Sequence, residues 1–274
     1  MLDEISRRMI VKRRIFTGMS FLGIVLLLAG GLAWTAPRQP QQAPAAGGAM
    51  DIVLIAPTGA KMSVTQLAPA FEAKTGYKIN GTYAASGAIK KKVIDAEAFD
   101  LSILLVPIDD ALATGNLDKA SLKPLGSVPI AIAIKKGSPK PDVSSPESLK
   151  QALLAAKSVS YPHGAAGALS AVLIDDMITK LGIMDQILPK IKPGGTGAVV
   201  KGDVDLAIAF QPEINDPGVD IVGPMPAAVS TPASMVGVIS AHPKNAAGAK
   251  ALLDYLATPA AKAVYKSMGI VPAS

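Results

Sequence analysis

The chain has 274 residues, half of them hydrophobic and 18% charged, which excludes a disordered chain and leaves room for one large or two small domains. It has no cysteine and two histidines, His163 and His242, so disulfides, thiolate chemistry and cysteine-linked lipid anchors are excluded and a multi-histidine metal centre is disfavoured. Of the +6 formal charge, most sits at the front: the first 49 residues hold six of the 27 basic and two of the 21 acidic groups, and the net +2 that remains is too balanced for a nucleic-acid binder.

The front itself is patterned. Arg7, Arg8, Lys12, Arg13 and Arg14 precede an uncharged stretch over 15–34, and a Pro/Gln/Ala/Gly-rich segment follows over 36–49. Positive residues ahead of an apolar run are the mark of an export signal. The run is also nearly long enough to cross a bilayer, so 1–49 is either a cleaved signal with a linker or an uncleaved N-terminal anchor. Both place the chain from about residue 50 onward outside the cytoplasm.

Beyond residue 50, short apolar runs alternate with helical patterns. Residues 51–56 read as a buried strand. Val64, Leu67, Ala68 and Phe71 recur at helical spacing up to Gly76, with Pro69 as a kink within that helix. Strands over 78–83 and 100–106 flank a helix over 87–98, and a short helix over 109–114 follows. A strand over 128–134 leads to Ser145-Pro146-Glu147, which combines a cap, a first-turn proline and an acid at the start of a helix to about 156. Leu169, Leu173, Met177 and Leu181, with Ile174 and Ile178 beside them, form the apolar stripe of a helix closing at Gly182. Strands over 205–210, 219–222 and 235–240 and helices over 244–257 and from Pro259 complete the chain. This alternation predicts α/β structure built on mostly parallel sheet.

Three turns between strand and helix set small residues and hydroxyls where backbone N–H groups are free to face an anion: Thr58-Gly59, Ser86-Gly87 and Ala165-Ala166-Gly167. Each can equally be a plain helix cap. Gly194-Gly195-Thr196-Gly197 loosely resembles a phosphate cradle but lacks the Gly-Lys-Ser/Thr of a nucleotide loop. Lys90-Lys91-Lys92 reads as a solvated helix face. No serine-histidine-aspartate set is marked by a Gly-x-Ser-x-Gly turn. The acidic pairs Asp109-Asp110 and Asp175-Asp176 are chain neighbours that diverge on a helix. Catalysis by paired carboxylates is therefore not supported.

Taken together, LAPAFEAKTG (67–76), AASGAIKKKVIDAEAFDLSIL (84–104), YPHGAAG (161–167), KGDVDLAIAF (201–210) and AKALLDYLATPAAKAVYKSMGI (249–270) resemble the extracellular solute-binding proteins of ABC importers, and within them the molybdate-binding branch. The resemblance spans about 51–272 and is most specific at the C-terminal helices. It implies a two-lobed periplasmic-binding-protein-like fold of type II with a ligand cleft between lobes, lobe 1 over 51–129 and 229–274 and lobe 2 over 130–228. It implies a site drawn from Thr58, Gly59, Ser86, Gly87, Ala165, Ala166, Thr196, Phe210 and Gln211. Phe210 stands where that branch has a tyrosine, with Gln211 beside it, and Pro57-Thr58-Gly59 departs from the usual Ala-Ser pattern.

The function so implied is a monomeric carrier without cofactor or metal, periplasmic or held at the periplasmic face of the inner membrane. It binds a small anion, a molybdate-like oxyanion or a small organic acid, and hands it to an inner-membrane ABC permease. Carbohydrate is disfavoured, because 50–274 contains no tryptophan and few aromatics for stacking. The other classes are a membrane-tethered sensor or adaptor on the same lobes, and a hydrolase or transferase, which the missing catalytic set disfavours.

Overall fold

The computed structural model describes residues 51–274 except Ala166; the export or anchor segment and the Ala166 position lie outside the described residues. The chain begins with β1 (Asp51–Pro57), a 3-10 turn (Thr58–Ala60), α1 (Lys61–Thr75), β2 (Lys78–Ala84), α2 (Ser86–Ile94), β3 (Leu101–Leu105), α3 (Asp109–Ala113) and β4 (Lys123–Val128). A second group follows: β5 (Ile130–Lys135), α4 (Pro146–Ala155), β6 (Val159–Ser160), α5 (Leu169–Lys180), α6 (Met184–Ile187), α7 (Gly195–Lys201), β7 (Leu206–Phe210), a 3-10 turn (Gln211–Glu213) and β8 (Val219–Val222). The chain then closes with β9 (Ala233–Ile239), α8 (Ala246–Leu256), α9 (Pro259–Ser267) and β10 (Val271–Pro272).

These strands make two sheets. One has six strands in the order β10-β4-β9-β3-β1-β2, and the other has four in the order β6-β7-β5-β8. Each sheet carries helices on both faces. Ile52, Leu54 and Ala56 of β1 join a cluster with Val64, Leu67 and Phe71 of α1, while Ile55 turns the other way onto Ile89 and Val93 of α2. A strand covered on both faces needs no polar alternation, and this explains the unbroken apolar run of β1. In the smaller sheet, Ile132 and Ile208 share a cluster with Leu149 of α4 and Ile174 and Met177 of α5, and Ala131, Ala133 and Ala207 share another with Val199 of α7. No helix among the described residues is long and apolar enough to cross a membrane.

Several expectations need correction. The sheets are mixed rather than mostly parallel: β1–β2, β1–β3 and β6–β7 pair parallel, whereas β3–β9, β4–β9, β10–β4, β5–β7 and β5–β8 pair antiparallel. The chain leaves the larger sheet through Pro129 and re-enters it as β9, so its returning strands run against the first three. Strand β4 has no counterpart in the predicted elements. It contains Pro124 and Gly126, residues depleted in strands, and its register with β9 shifts between them. Gly126 has a reason to be there: a Cβ would stand 2.6 Å from the Val271 carbonyl oxygen, so only glycine lets β10 lie alongside. Helix α2 stops at Ile94, four residues early, where the Asn116 side-chain amide donates to the carbonyls of Val93 (2.9 Å) and Ile94 (3.3 Å). Pro69 is exposed and α1 continues through it, the carbonyl it leaves free being open to water. Gly76 ends α1 in the left-handed conformation at φ 78°.

Candidate functional site

The turns after β1, β2, β6 and β7 meet between the two sheets. They enclose a cleft of about 540 Å³ lined by Thr58, Gly59, Lys61, Ser86, Pro162, Ser170, Phe210, Glu213 and Asn215, among others. Open α/β sheets gather their ligand-binding loops at the carboxyl ends of strands for the same topological reason.

Ser86 is the point where the two halves touch. Helix α2 has no side-chain cap; Ala85 is its N-cap residue. The Ser86 hydroxyl instead accepts from the backbone N–H of Leu169, 3.2 Å away, at the start of α5 on the other sheet. Beside it the Gly87 N–H donates to the Gly167 carbonyl at 2.8 Å. The own-helix cap considered for Ser86 is thus replaced by a cap on the opposite lobe. Its oxygen holds α5 while its proton stays available to an acceptor in the cleft. Gly87 lies behind Ser86, and its N–H is taken by Gly167 rather than free for an anion.

On the other flank, the 3-10 turn Thr58–Ala60 packs against the 3-10 turn Gln211–Glu213. In a 3-10 turn, residues three apart eclipse. Phe210 and Glu213 accordingly both line the cleft, while Gln211 turns away and packs over Gly269 in a separate cavity with Pro224 and Met225. Glu213 and Lys61 are the titratable side chains on the cleft wall. Burial pushes the Glu213 carboxyl up from its ordinary value. No arginine occurs after Arg38, so an anion here meets one lysine, hydroxyls and backbone amides.

Thr196 lies outside this cleft. It lines an adjoining cavity of about 520 Å³ on the smaller sheet, which shares Pro162 with the cleft and also contains Tyr161, His163 and Lys192. There Asp175 accepts from the Tyr161 hydroxyl (2.8 Å) and pairs with His163 Nδ1 (2.9 Å). Burial and the Asp175 carboxylate both raise the Tyr161 phenol. Ala165 is exposed and is not among the residues that line the cleft. Among the expected residues, the structure therefore brings Thr58, Gly59, Ser86 and Phe210 together, and it separates Gly87, Ala165, Thr196 and Gln211 from them. Glu213, Lys61 and Asp175 were missing from the expected set. An acid three residues past the end of a strand was a usable signal for Glu213; the His163–Asp175 contact depends on tertiary structure.

A family model described as bacterial extracellular solute-binding protein matches residues 52–271. The chain belongs to that family. This solute-binding protein is 30% identical over 230 residues to the aconitate isomerase of a Pseudomonas species, a match covering 81% of this chain and 87% of that one. Its fold matches the periplasmic molybdate-binding protein of Azotobacter vinelandii with a TM-score of 0.67 at 17% identity, covering 81% of this chain and 100% of the other. It likewise matches the sulfate-binding protein of Mycobacterium tuberculosis with a TM-score of 0.65 at 20% identity, covering 82% and 87%. The two-lobed α/β architecture is the type II periplasmic-binding-protein fold. Among the described residues, no group of three or more histidines or acids is placed to hold a metal ion.

The position of Ser86 leads to a measurable expectation for this solute-binding protein. Ser86→Ala should lower ligand affinity roughly 10- to 150-fold by removing a hydrogen bond to a charged group. Uncapping α5 should lower stability by only about 1 kcal/mol. Calorimetric titration and urea unfolding of that one variant read both quantities. Intact affinity with reduced stability would leave Ser86 as a cap alone.

Proposed function

We propose that the protein is the exported solute-binding component of an ABC importer and that it carries a small organic acid of di- or tricarboxylate size to an inner-membrane permease. The observation that carries this reading is the cleft itself, where two lobes meet around hydroxyls, backbone amides, one lysine and one acid. Neutral donors hold an anion yet release it, as delivery requires. Phe210 offers no hydroxyl to a tetrahedral oxyanion, and the curated relative named above is named for a tricarboxylate, so an organic acid is favoured over molybdate. The charged-then-apolar segment ahead of residue 50 supports a periplasmic location, and N-terminal sequencing of exported material distinguishes a cleaved signal from a retained anchor.

A thermal-shift panel tests the ligand class. Citrate, malate or trans-aconitate should stabilise the protein, by about 2.7 kcal/mol at 100 times the dissociation constant, while molybdate and sulfate should not. Stabilisation by molybdate alone would remove the organic-acid reading.

Glu213 and the same curated relative favour a second reading, an isomerase on the same fold. A carboxylate whose pKa burial has raised is a better base near neutral pH. It could take a proton from the CH2 beside one carboxylate of an unsaturated tricarboxylate and return it to the far carbon of the allylic system, moving the double bond. Deuterium entering trans-aconitate in D2O, followed by proton NMR, would establish that activity. Binding without exchange would leave the carrier reading alone.

A further inference from the structure

We infer that Glu213 is the specificity-determining residue of the cleft, selecting organic acids that turn a hydrogen-bearing, uncharged face toward it and rejecting compact oxyanions that are charged on every side. The inference rests on the small-acid reading above and narrows its ligand class.

The geometry is that of an acceptor aimed into an anion site. Glu213 ends the turn after β7, and the buried Pro212 before it fixes that turn. Its carboxylate reaches across to the first anion-cradle turn: a Cβ on Gly59 would lie 3.5 Å from Glu213 Oε1. The carboxyl has no hydrogen-bond or ion-pair partner among the described residues, and Lys61 is the one cation on the cleft wall. A ligand held by Ser86 and the first turn must therefore present something to Glu213.

Sulfate and molybdate have only acceptor oxygens to present, so acceptor would face acceptor in a partly desolvated space. Burial already disfavours the charged form of this carboxyl, and a second anion without a proton between them adds to that penalty. An organic acid escapes the conflict because its charge is localised. Its carboxylates can lie on the turns while a hydroxyl, or an acidic CH2, faces Glu213. Sites that bind a ligand hydroxyl through a buried acceptor reject the analogue lacking it far more strongly than apolar pockets reject a missing methylene.

Two matched pairs isolate the hydroxyl: malate against succinate, and citrate against tricarballylate. Calorimetric titration of the full chain at pH 8, where these acids are ionised, should show the hydroxylated member of at least one pair bound about tenfold or more tightly, with sulfate much weaker still. Glu213→Gln removes the charge at constant shape. It keeps a carbonyl acceptor and gains N–H donors, so the hydroxyl preference should shrink and sulfate binding should strengthen about tenfold or more. Glu213→Leu, which removes the acceptor, should bring the paired acids to within about threefold of each other, and thermal unfolding of both variants checks that the fold is retained. Native protein that binds sulfate as tightly as the hydroxy acids, or a Glu213→Gln variant with unchanged selectivity, overturns the inference while leaving the small-acid reading standing. Native protein that binds none of the organic acids overturns both.

Discussion

Gly87→Ala is expected to lower ligand affinity about 30- to 150-fold while leaving each lobe folded. The added Cβ would meet the Gly167 carbonyl oxygen and stand 2.6 Å from the Gly167 Cα. Both are backbone atoms of the opposite lobe, which no side-chain rotation can move aside. The two turns would have to separate, and with them would go the Gly87 N–H to Gly167 bond and the Leu169 N–H to Ser86 bond. At about 1 kcal/mol each, with the adjoining packing, these account for the expected 2–3 kcal/mol. The lobe itself should tolerate the change, since Gly87 lies in the first turn of α2, where alanine is the better helix former. Gly197→Ala is the control. Gly197 lies in α7 and does not line the cleft, an added Cβ would meet nothing within 4 Å, and affinity should change little. Titration calorimetry and solution scattering on both variants provide the comparison. Equal affinities would mean that contact between these turns plays no part in binding.

The largest loss of stability should come from Asp100→Ala. Asp100 is 1% exposed, yet its carboxylate is not a ligand of the cleft. Oδ2 accepts the Val53 N–H at 2.8 Å and Oδ1 accepts the Asn245 N–H at 2.8 Å. Its own N–H donates to the Val53 carbonyl, and its carbonyl accepts from Ser240. One buried residue thus joins β1, the entry to β3, the end of β9 and the start of α8, its side chain supplying the bonds to β1 and α8. Alanine would strand two buried N–H groups that now have charge-assisted bonds of about 1.5–3 kcal/mol each, for a loss of about 3–5 kcal/mol. Asp100→Asn keeps one carbonyl acceptor and should lose about half as much. Urea denaturation at fixed pH gives both values. A loss under about 1 kcal/mol for the alanine variant would mean that other groups can take over these bonds.

Much of the fold was legible because burial on both faces leaves an unmistakable run. β1 and β5 are apolar but for one terminal residue each, and the helix start at Ser145 declares itself through Pro146 and its capping box with Ser148. Strand direction was not legible, since hydrophobic periodicity is the same whichever way a strand runs. Only the path through Pro129 and back into β9 makes most of the pairings antiparallel. β4 escaped because Pro124 and Gly126 obey a local need, the close approach of β10, against strand propensity. In the site, Thr58, Gly59 and Ser86 could be named because topology places strand ends at the cleft, and Phe210 because the family resemblance pointed to its position. Glu213 rather than Gln211 reaches it because a 3-10 turn intervenes, and residue types alone did not announce that turn. Asp175 was set aside as the neighbour of Asp176, when its partners are Tyr161 and His163, more than ten residues earlier in the chain.

The cap that Ser86 places on α5 makes the first amide of that helix a clock. A helix N-terminus ordinarily finds its cap within its own chain segment, but Leu169 borrows one from the opposite lobe. Each time the lobes part, that N–H is handed to water while the rest of α5 stays folded. Hydrogen exchange at this amide then integrates the fraction of time the lobes spend apart, whereas amides deeper in α5 report only unfolding of the helix. Dividing the Leu169 rate by the intrinsic rate of an unprotected amide gives the opening equilibrium of the unlabelled protein, before any ligand has been identified.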